Sequence, residues 1–216
     1  MLSIHDLNVR YGEKIIYKNA NVDIPSKGIN FLLGKNGAGK TTLIKCLLNH
    51  MDYKGEIKLN GRSYQHDRKE VFAVFDDSAL YKQLSGLQNI MLITGKKKQE
   101  VLGYAQELLH PKLLNKKVST YSYGEKKKIF LVIADVLRPR LLLMDEVSNG
   151  LDYETMLLLK KKVRAWSGES MILMTGHQFE FYKDIVERVF VVQDQTIKAV
   201  EMGQRSLEEI YEETIR

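Results

Sequence analysis

A chain of 216 residues, 44% hydrophobic, 28% charged and with only 3 prolines, has the composition of a folded globular protein with one substantial core, or one core plus a small subdomain. The net charge of +6 and pI near 9.2 are compatible with nucleic acid or an anionic membrane face, but the excess is spread along the chain; the runs Lys96–Lys98 and Lys126–Lys128 are read as solvated surface, and no nucleic-acid partner is expected. A single cysteine, Cys46, excludes an internal disulfide, and no apolar run approaches the ~18 residues of a membrane-crossing helix.

In chain order, Leu2, Ile4, Leu7 and Val9 alternate with polar residues as in a half-buried strand. Tyr11 to Lys14 reads as a turn, Ile15 to Ile24 as a second strand, and Pro25 to Gly28 as a turn into a buried strand, Ile29 to Leu33. Gly34 to Thr42 follows as GKNGAGKTT, before Leu43, Ile44, Leu47 and Leu48 at the spacing of one helix face. A glycine-rich turn between strand and helix is the setting of a phosphate-binding loop. Gly34, Gly37 and Gly39 permit a bent backbone whose N–H groups, from Lys35, Asn36 and Ala38 onward, point at phosphate oxygens. The following helix adds its positive end, the Lys40 ammonium reaches the β- and γ-phosphates, and the Thr41 hydroxyl is placed for Mg²⁺, with Thr42 completing the loop. Cys46, in that helix, reads as a buried small hydrophobe, in keeping with a reducing compartment.

Gly55 to Gly61 is a short strand closed by an Asn-Gly turn, so the start of the chain is mostly antiparallel β. Val71 to Phe75 reads as a strand. From Asp76 to Leu137 the pattern turns helical, with Leu87, Ile90 and Met91 on one face, and Val101, Leu102, Ala105, Leu108 and Leu109 on another that ends before Pro111. Arg140 to Glu146, RLLLMDE, lacks alternation and reads as a strand buried on both faces of a parallel sheet. Leu157 to Trp166 is helical, Met171 to Met174 is a buried strand ending at Thr175-Gly176-His177, and Val189 to Val200 is a hairpin around Asp194-Gln195. The tail is an acidic helix with Ser206 as N-cap.

Asp145 and Glu146 end a buried strand, where carboxylates face a nucleotide crevice. Asp145 can hold Mg²⁺ through water and Glu146 can polarise an attacking water; a strand-end acidic pair also occurs as a plain turn cap. With these residues in place, the chain resembles the nucleotide-binding subunit of ABC transporters over essentially its whole length. GKNGAGKT is similar to Walker A, LLLMDE to Walker B, and Ser148 to Asp152 to the D-loop. His177 falls at the switch histidine, which the family uses on the γ-phosphate, and Tyr11 falls where the family stacks an aromatic on adenine. The LSGGQ signature is matched by Tyr121-Ser122-Tyr123-Gly124-Glu125, in which Ser122 and Gly124 are kept while Glu125 adds negative charge. The Q-loop position holds Asp76, a shorter and charged group. Such variations resemble bacterial exporters of the ABC-2 type.

The resemblance implies an α/β P-loop NTPase core, a mostly parallel sheet flanked by helices, with an N-terminal antiparallel β subdomain and an inserted helical subdomain. Residues 1–75 and 138–216 would form the core and 76–137 the insertion. It implies ATP and Mg²⁺ as ligands, a second ATP-binding subunit in a homodimer or heterodimer, and a membrane-spanning permease. The expected location is cytoplasmic, peripheral on the inner face of the membrane, since Met1 to His5 lacks the features of a signal peptide. A soluble ATPase acting on a protein or nucleic acid, or a weakly hydrolysing regulatory module, are the competing readings. Within the helical stretch, Leu80, Tyr81, Leu84 and Leu87 are candidates either for core or for a permease-facing surface, with Tyr81 the one expected to be exposed.

Overall fold

The computed structural model describes residues 1–63, 70–75 and 80–215. Strands β1 (Leu2–Tyr11), β2 (Lys14–Ile24), β4 (Lys54–Leu59) and β5 (Arg62–Ser63) form an antiparallel sheet in the order β2-β1-β4-β5. The second sheet has six strands, built from β3 (Gly28–Leu33), β6 (Val71–Val74), β7 (Leu141–Asp145), β8 (Met171–Thr175), β9 (Arg188–Gln193) and β10 (Thr196–Val200). Its order is β10-β9-β3-β8-β7-β6, parallel throughout except for the β9–β10 hairpin at one edge. Asn60 and Gly61, and Asp194 and Gln195, take the paired positive φ values (52° and 77°, 48° and 62°) that let two-residue turns follow the twist of their strands.

The unbroken apolar runs are explained by burial on both faces of the six-stranded sheet. Ile29, Phe31 and Leu33 join Leu142, Met144, Ile172 and Met174 in one core. Their alternates Leu32, Leu141, Leu143, Met171 and Leu173 join a second core against the antiparallel sheet and helix α1 (Lys40–Leu47). Cys46 is fully buried there and its thiol is pushed up to about 11 by burial, as suits a packing residue.

Between β6 and β7 the chain is helical but more broken than its pattern predicts. Helices α2 (Gly86–Thr94) and α3 (Lys98–Ala105) precede a short α4 (Pro111–Leu114), a 3₁₀ turn (Val118–Thr120) and α5 (Tyr123–Leu137). Leu108 and Leu109 leave the α3 helix and hydrogen-bond back to the Ala105 carbonyl, while Pro111 opens α4, where its missing N–H costs nothing. Helix α6 (Tyr153–Ser167) begins earlier than the apolar pattern shows, because Asp152 caps it. Helix α7 (Phe179–Tyr182) is one turn, and α8 (Leu207–Ile215) starts with the expected Ser206 cap, reciprocated by Glu209.

The lysine run Lys96–Lys98 is exposed as expected, but Lys126–Lys128 is not a solvated face. Lys127 is 3% exposed and Lys128 pairs with Asp152 at 2.9 Å, because this run lies on the side of α5 that packs on the loop after β7. A second buried ionic group ties α5 to α6. The Asp135 carboxylate accepts from Trp166 Nε1 at 2.9 Å and Lys162 Nζ at 2.6 Å, and pairs with Arg138 at 2.9 Å. Burial alone would lower the Lys162 pKa, but its bonds to Asp135 and Glu107 hold it above the ordinary lysine value. Removing the acid would leave a buried indole N–H without its acceptor and take one of two carboxylate partners from a largely buried ammonium. Asp135→Ala is therefore expected to cost about 3 kcal/mol of stability, read by denaturant unfolding with Trp166, the single tryptophan, as the fluorescent reporter. A loss under about 0.5 kcal/mol, the range of ordinary surface substitutions, would contradict this account.

Candidate functional site

Strands β3, β8 and β7 lie side by side and end on one crest, so the segments that follow them meet although they are distant in sequence. The loop after β3 runs from Gly34 to Gly39 and enters α1 at Lys40. Gly39 holds φ 120°, and a Cβ there would stand 2.8 Å from Ile16 Cγ2 and 3.0 Å from the Tyr17 hydroxyl. No larger residue fits that approach. The Tyr17 hydroxyl donates to the Gly39 carbonyl at 2.9 Å, bracing the start of α1 from β2. Lys35, Asn36 and Gly37 are exposed and face outward as a rim, Ala38 is half-buried, and its N–H closes a turn on the Lys35 carbonyl. The Lys40 ammonium is buried, donating to Gly34 O at 2.7 Å and Lys35 O at 3.1 Å. Burial lowers its pKa, opposed by Glu146 and Asp145. An ammonium has three N–H groups, so one direction is left for an anion in the loop.

Asp145, the last residue of β7, accepts from Thr41 Oγ1 at 3.0 Å and from Thr175 Oγ1 at 2.5 Å. Glu146 follows with φ 52°, and its N–H donates to both the carbonyl and the hydroxyl of Thr175 at 3.2 Å. That turn points the Glu146 carboxylate along the crest, where Asn149 Nδ2 donates to it at 2.8 Å and His177 Nε2 stands 3.5 Å away. Ser148 and Tyr182 exchange a hydrogen bond at 3.2 Å, and Tyr182 donates to Thr175 O at 3.0 Å; burial pushes the Tyr182 hydroxyl up to about 12.

A family model described as ABC transporter matches residues 17–149. The chain belongs to the ABC transporter family. A lantibiotic transport ATP-binding protein of Streptococcus pyogenes, SrtF, is 29% identical over 229 residues, covering 100% of this chain and 97% of the relative. A methionine import ATP-binding protein of Clostridioides difficile, MetN, is 30% identical over 219 residues, covering 93% of this chain and 68% of the relative. Among solved structures, an ATP-binding subunit of an ABC transporter aligns at TM-score 0.86 and 22% identity over 99% of this chain and 98% of that one. A dimeric, post-hydrolysis ATP-binding cassette holding ADP and Pi aligns at TM-score 0.80 and 20% identity over 94% and 99%. The fold is therefore that of an ABC ATP-binding subunit, with the parallel P-loop core and antiparallel sheet expected from the sequence.

Within this family frame, the structure brings together the stretches read as Walker A and Walker B and the residue His177. The stretch read as the signature packs on the stretch read as the D-loop of the same chain. Ser122 caps α5; its hydroxyl accepts from the Glu125 N–H at 3.2 Å, and its own N–H donates to the Glu125 carboxylate at 2.7 Å. Gly124 packs so closely on the D-loop that a Cβ would sit 2.6 Å from the Gly150 carbonyl, and Gly150, at φ 71°, packs against the Tyr123 ring. Asp152 caps α6 through Thr155 and pairs with Lys128, and these bonds hold its carboxyl well below the usual range. Tyr11 ends β1 opposite Lys14 and is 77% exposed, free to offer a ring face. Asp76 lies outside the described residues.

Four contributors escaped the sequence reading. Thr175 was visible as a strand-end residue without a role; Asn149 lay inside the D-loop motif; Lys127 was hidden in a lysine run. Tyr17 left no local signal, since its bond to Gly39 spans two elements. Tyr17→Phe is expected to cost about 1 kcal/mol and to raise the ATP dissociation constant several-fold, measured by thermal unfolding and by titration with nucleotide. Unchanged nucleotide affinity would limit Tyr17 to packing.

Proposed function

We propose that this subunit binds ATP with Mg²⁺, hydrolyses it in a head-to-tail dimer, and powers export through a separate membrane-spanning permease. The observation that carries the hydrolytic reading is the Glu146 carboxylate, fastened by Asn149 and flanked by His177 at the crest beside the phosphate loop. In this reading Gly34 to Thr42 cradle the phosphates, Lys40 neutralises them, and Tyr11 stacks on adenine. Mg²⁺ at such sites is bound through one or two carboxylates together with water and phosphate oxygens. Thr41 and Asp145, already joined at 3.0 Å, would hold it, with Asp76 as a third contact, and it would neutralise charge on the β- and γ-oxygens.

Glu146 takes a proton from water as the water oxygen bonds to the γ-phosphorus. The bond from that phosphorus to the bridging oxygen breaks, ADP departs with the electron pair, and His177 hydrogen-bonds the γ-phosphate. Ser122 and Gly124 on one chain face the γ-phosphate of the other, since a single chain's signature lies on its own D-loop. The Glu125 carboxylate, engaged by the Ser122 N–H, and Asp152, engaged by Thr155, support the geometry of that surface. Residues 76–137 act as the helical subdomain inserted into a core of 1–75 and 138–216. The export direction rests on the signature and Q-loop variations, while end-to-end alignment to a lantibiotic transport subunit supports the transport role. Among the described residues no helix is long and apolar enough to cross a membrane, so attachment to the inner membrane face would pass through the permease.

Glu146→Gln is expected to lower ATP turnover about 100-fold or more while retaining ATP binding and accumulating an ATP-bound dimer in light scattering; Lys40→Ala is expected to weaken binding itself. Wild-type turnover in Glu146→Gln would remove Glu146 as the base, and a strictly monomeric protein at high ATP would remove the dimer.

Tyr81 is 61% exposed, Leu80 and Leu84 are half-buried and Leu87 is core, so the four residues divide between the two expectations. Tyr81→Ala is expected to leave ATP affinity near normal and to weaken co-purification with the permease. Unchanged co-purification would take Tyr81 out of that interface.

A further inference from the structure

Of the buried charged residues described, Lys40 and Asp145 belong to the nucleotide crest and Asp135 to the α5–α6 network. Lys127 belongs to neither, yet it is 3% exposed. Its ammonium donates to the Glu146 carbonyl at 3.2 Å and the Asn149 carbonyl at 2.7 Å. It also lies 4.9 Å from the centre of the Tyr123 ring, one helical turn back on the same face of α5. That ring covers Gly150, whose backbone leaves no room for a Cβ beneath it.

We propose that Lys127 is a positioning residue for ATP hydrolysis, holding the backbone of Glu146 and Asn149 so that the Glu146 carboxylate stays aimed along the crest. The inference rests on the reading of Glu146 as the base. Glu146 occupies the left-handed region at φ 52°, which is unfavourable for a residue with a Cβ, so it must be held from both sides. Thr175 holds its N–H; Lys127 and the Asn149 N–H hold its carbonyl. Asn149 in turn donates to the Glu146 carboxylate, so one ammonium fixes both the base and the residue that aims it. The grip is charge-assisted and enclosed by the tyrosine ring, the condition in which such bonds are strongest.

Lys127 also stands on α5, whose N-terminus carries Ser122 and Gly124. In a head-to-tail dimer that terminus serves the partner chain's nucleotide, while Glu146 serves this chain's own. The lysine therefore makes a rigid connection between the two sites, from signature to base, within one protomer. Tyr123 in place of the family's glycine is what gives this connection its ring.

The test compares Lys127→Met, which keeps volume and loses every donor, with Lys127→Arg, which keeps charge and donors. Lys127→Met is expected to lower kcat for ATP about 10-fold or more with KM within about 2-fold, and Lys127→Arg to recover most of the loss. Lys127→Gln, with a donor on a shorter arm, replaces Lys127→Met if that variant fails to fold, with a smaller loss of kcat expected. Combined with Asn149→Ala, the loss is expected to be far less than multiplicative, because both act on the same carboxylate. Amide hydrogen exchange at Glu146, Asn149 and Leu151 is expected to accelerate in Lys127→Met, a readout that requires no turnover. Unchanged exchange, unchanged kcat, or a multiplicative double mutant would each overturn the proposal. Wild-type turnover in Glu146→Gln would instead remove the base assignment, leaving the exchange measurement to judge the grip of Lys127.

Discussion

The Asp145 carboxylate joins three elements that the chain keeps far apart. It accepts from Thr41 at the start of α1, 104 residues away, and from Thr175 at the end of β8, 30 residues away. Both bonds exist only if β7 and β8 pair in register, Asp145 opposite Thr175, and if β3 delivers its loop to the same end of the sheet. A half-register error of one residue would turn Asp145 into the opposite core and leave a buried charge without donors. The functional end of the molecule is thus also a check on the folding of its centre. The polar groups that a nucleotide requires are kept satisfied by one another through the same bonds that fix the strands.

How far this was legible in the sequence follows from the range of each interaction. Runs such as LLLMDE and the glycine loop carry their meaning locally, because burial on both faces and backbone freedom are written in consecutive residues. The helix starts at Tyr153 and Pro111 were harder, because a cap and a proline override apolar periodicity. Lys126–Lys128 misled for a different reason: charge in a run is normally solvated, and only the docking of α5 on the loop after β7 buries Lys127 and pairs Lys128. Tyr17 and Thr175 act across strands, and no local pattern announces a hydroxyl that meets a carbonyl 22 residues on.

The signature departs from its family in a way that the local geometry makes intelligible. Glu125 looks, in the sequence, like a misplaced negative charge beside a phosphate. In the structure its carboxylate turns back to the Ser122 N–H and completes a reciprocal cap. That bond keeps the first turn of α5 ordered and draws the charge toward the helix's positive end, where it is stabilised rather than repelled. Asp152 is likewise committed, to Thr155 and Lys128. Both acidic residues are thus engaged by backbone or side-chain donors.

Two buried lysines then divide the work of the crest. Lys40 reaches its position from inside the phosphate loop, fastened to two of that loop's own carbonyls, with its remaining direction toward an anion. Lys127 comes from a different helix and donates to two carbonyls of the segment that follows β7. An ammonium in a dry environment must be hydrogen-bonded, and backbone carbonyls supply acceptors whose positions the fold itself fixes. The carbonyl bonds anchor both ammonium groups and fix the loops they reach, while Asp145 is held by hydroxyls, Glu146 by an amide and Glu125 by a backbone N–H.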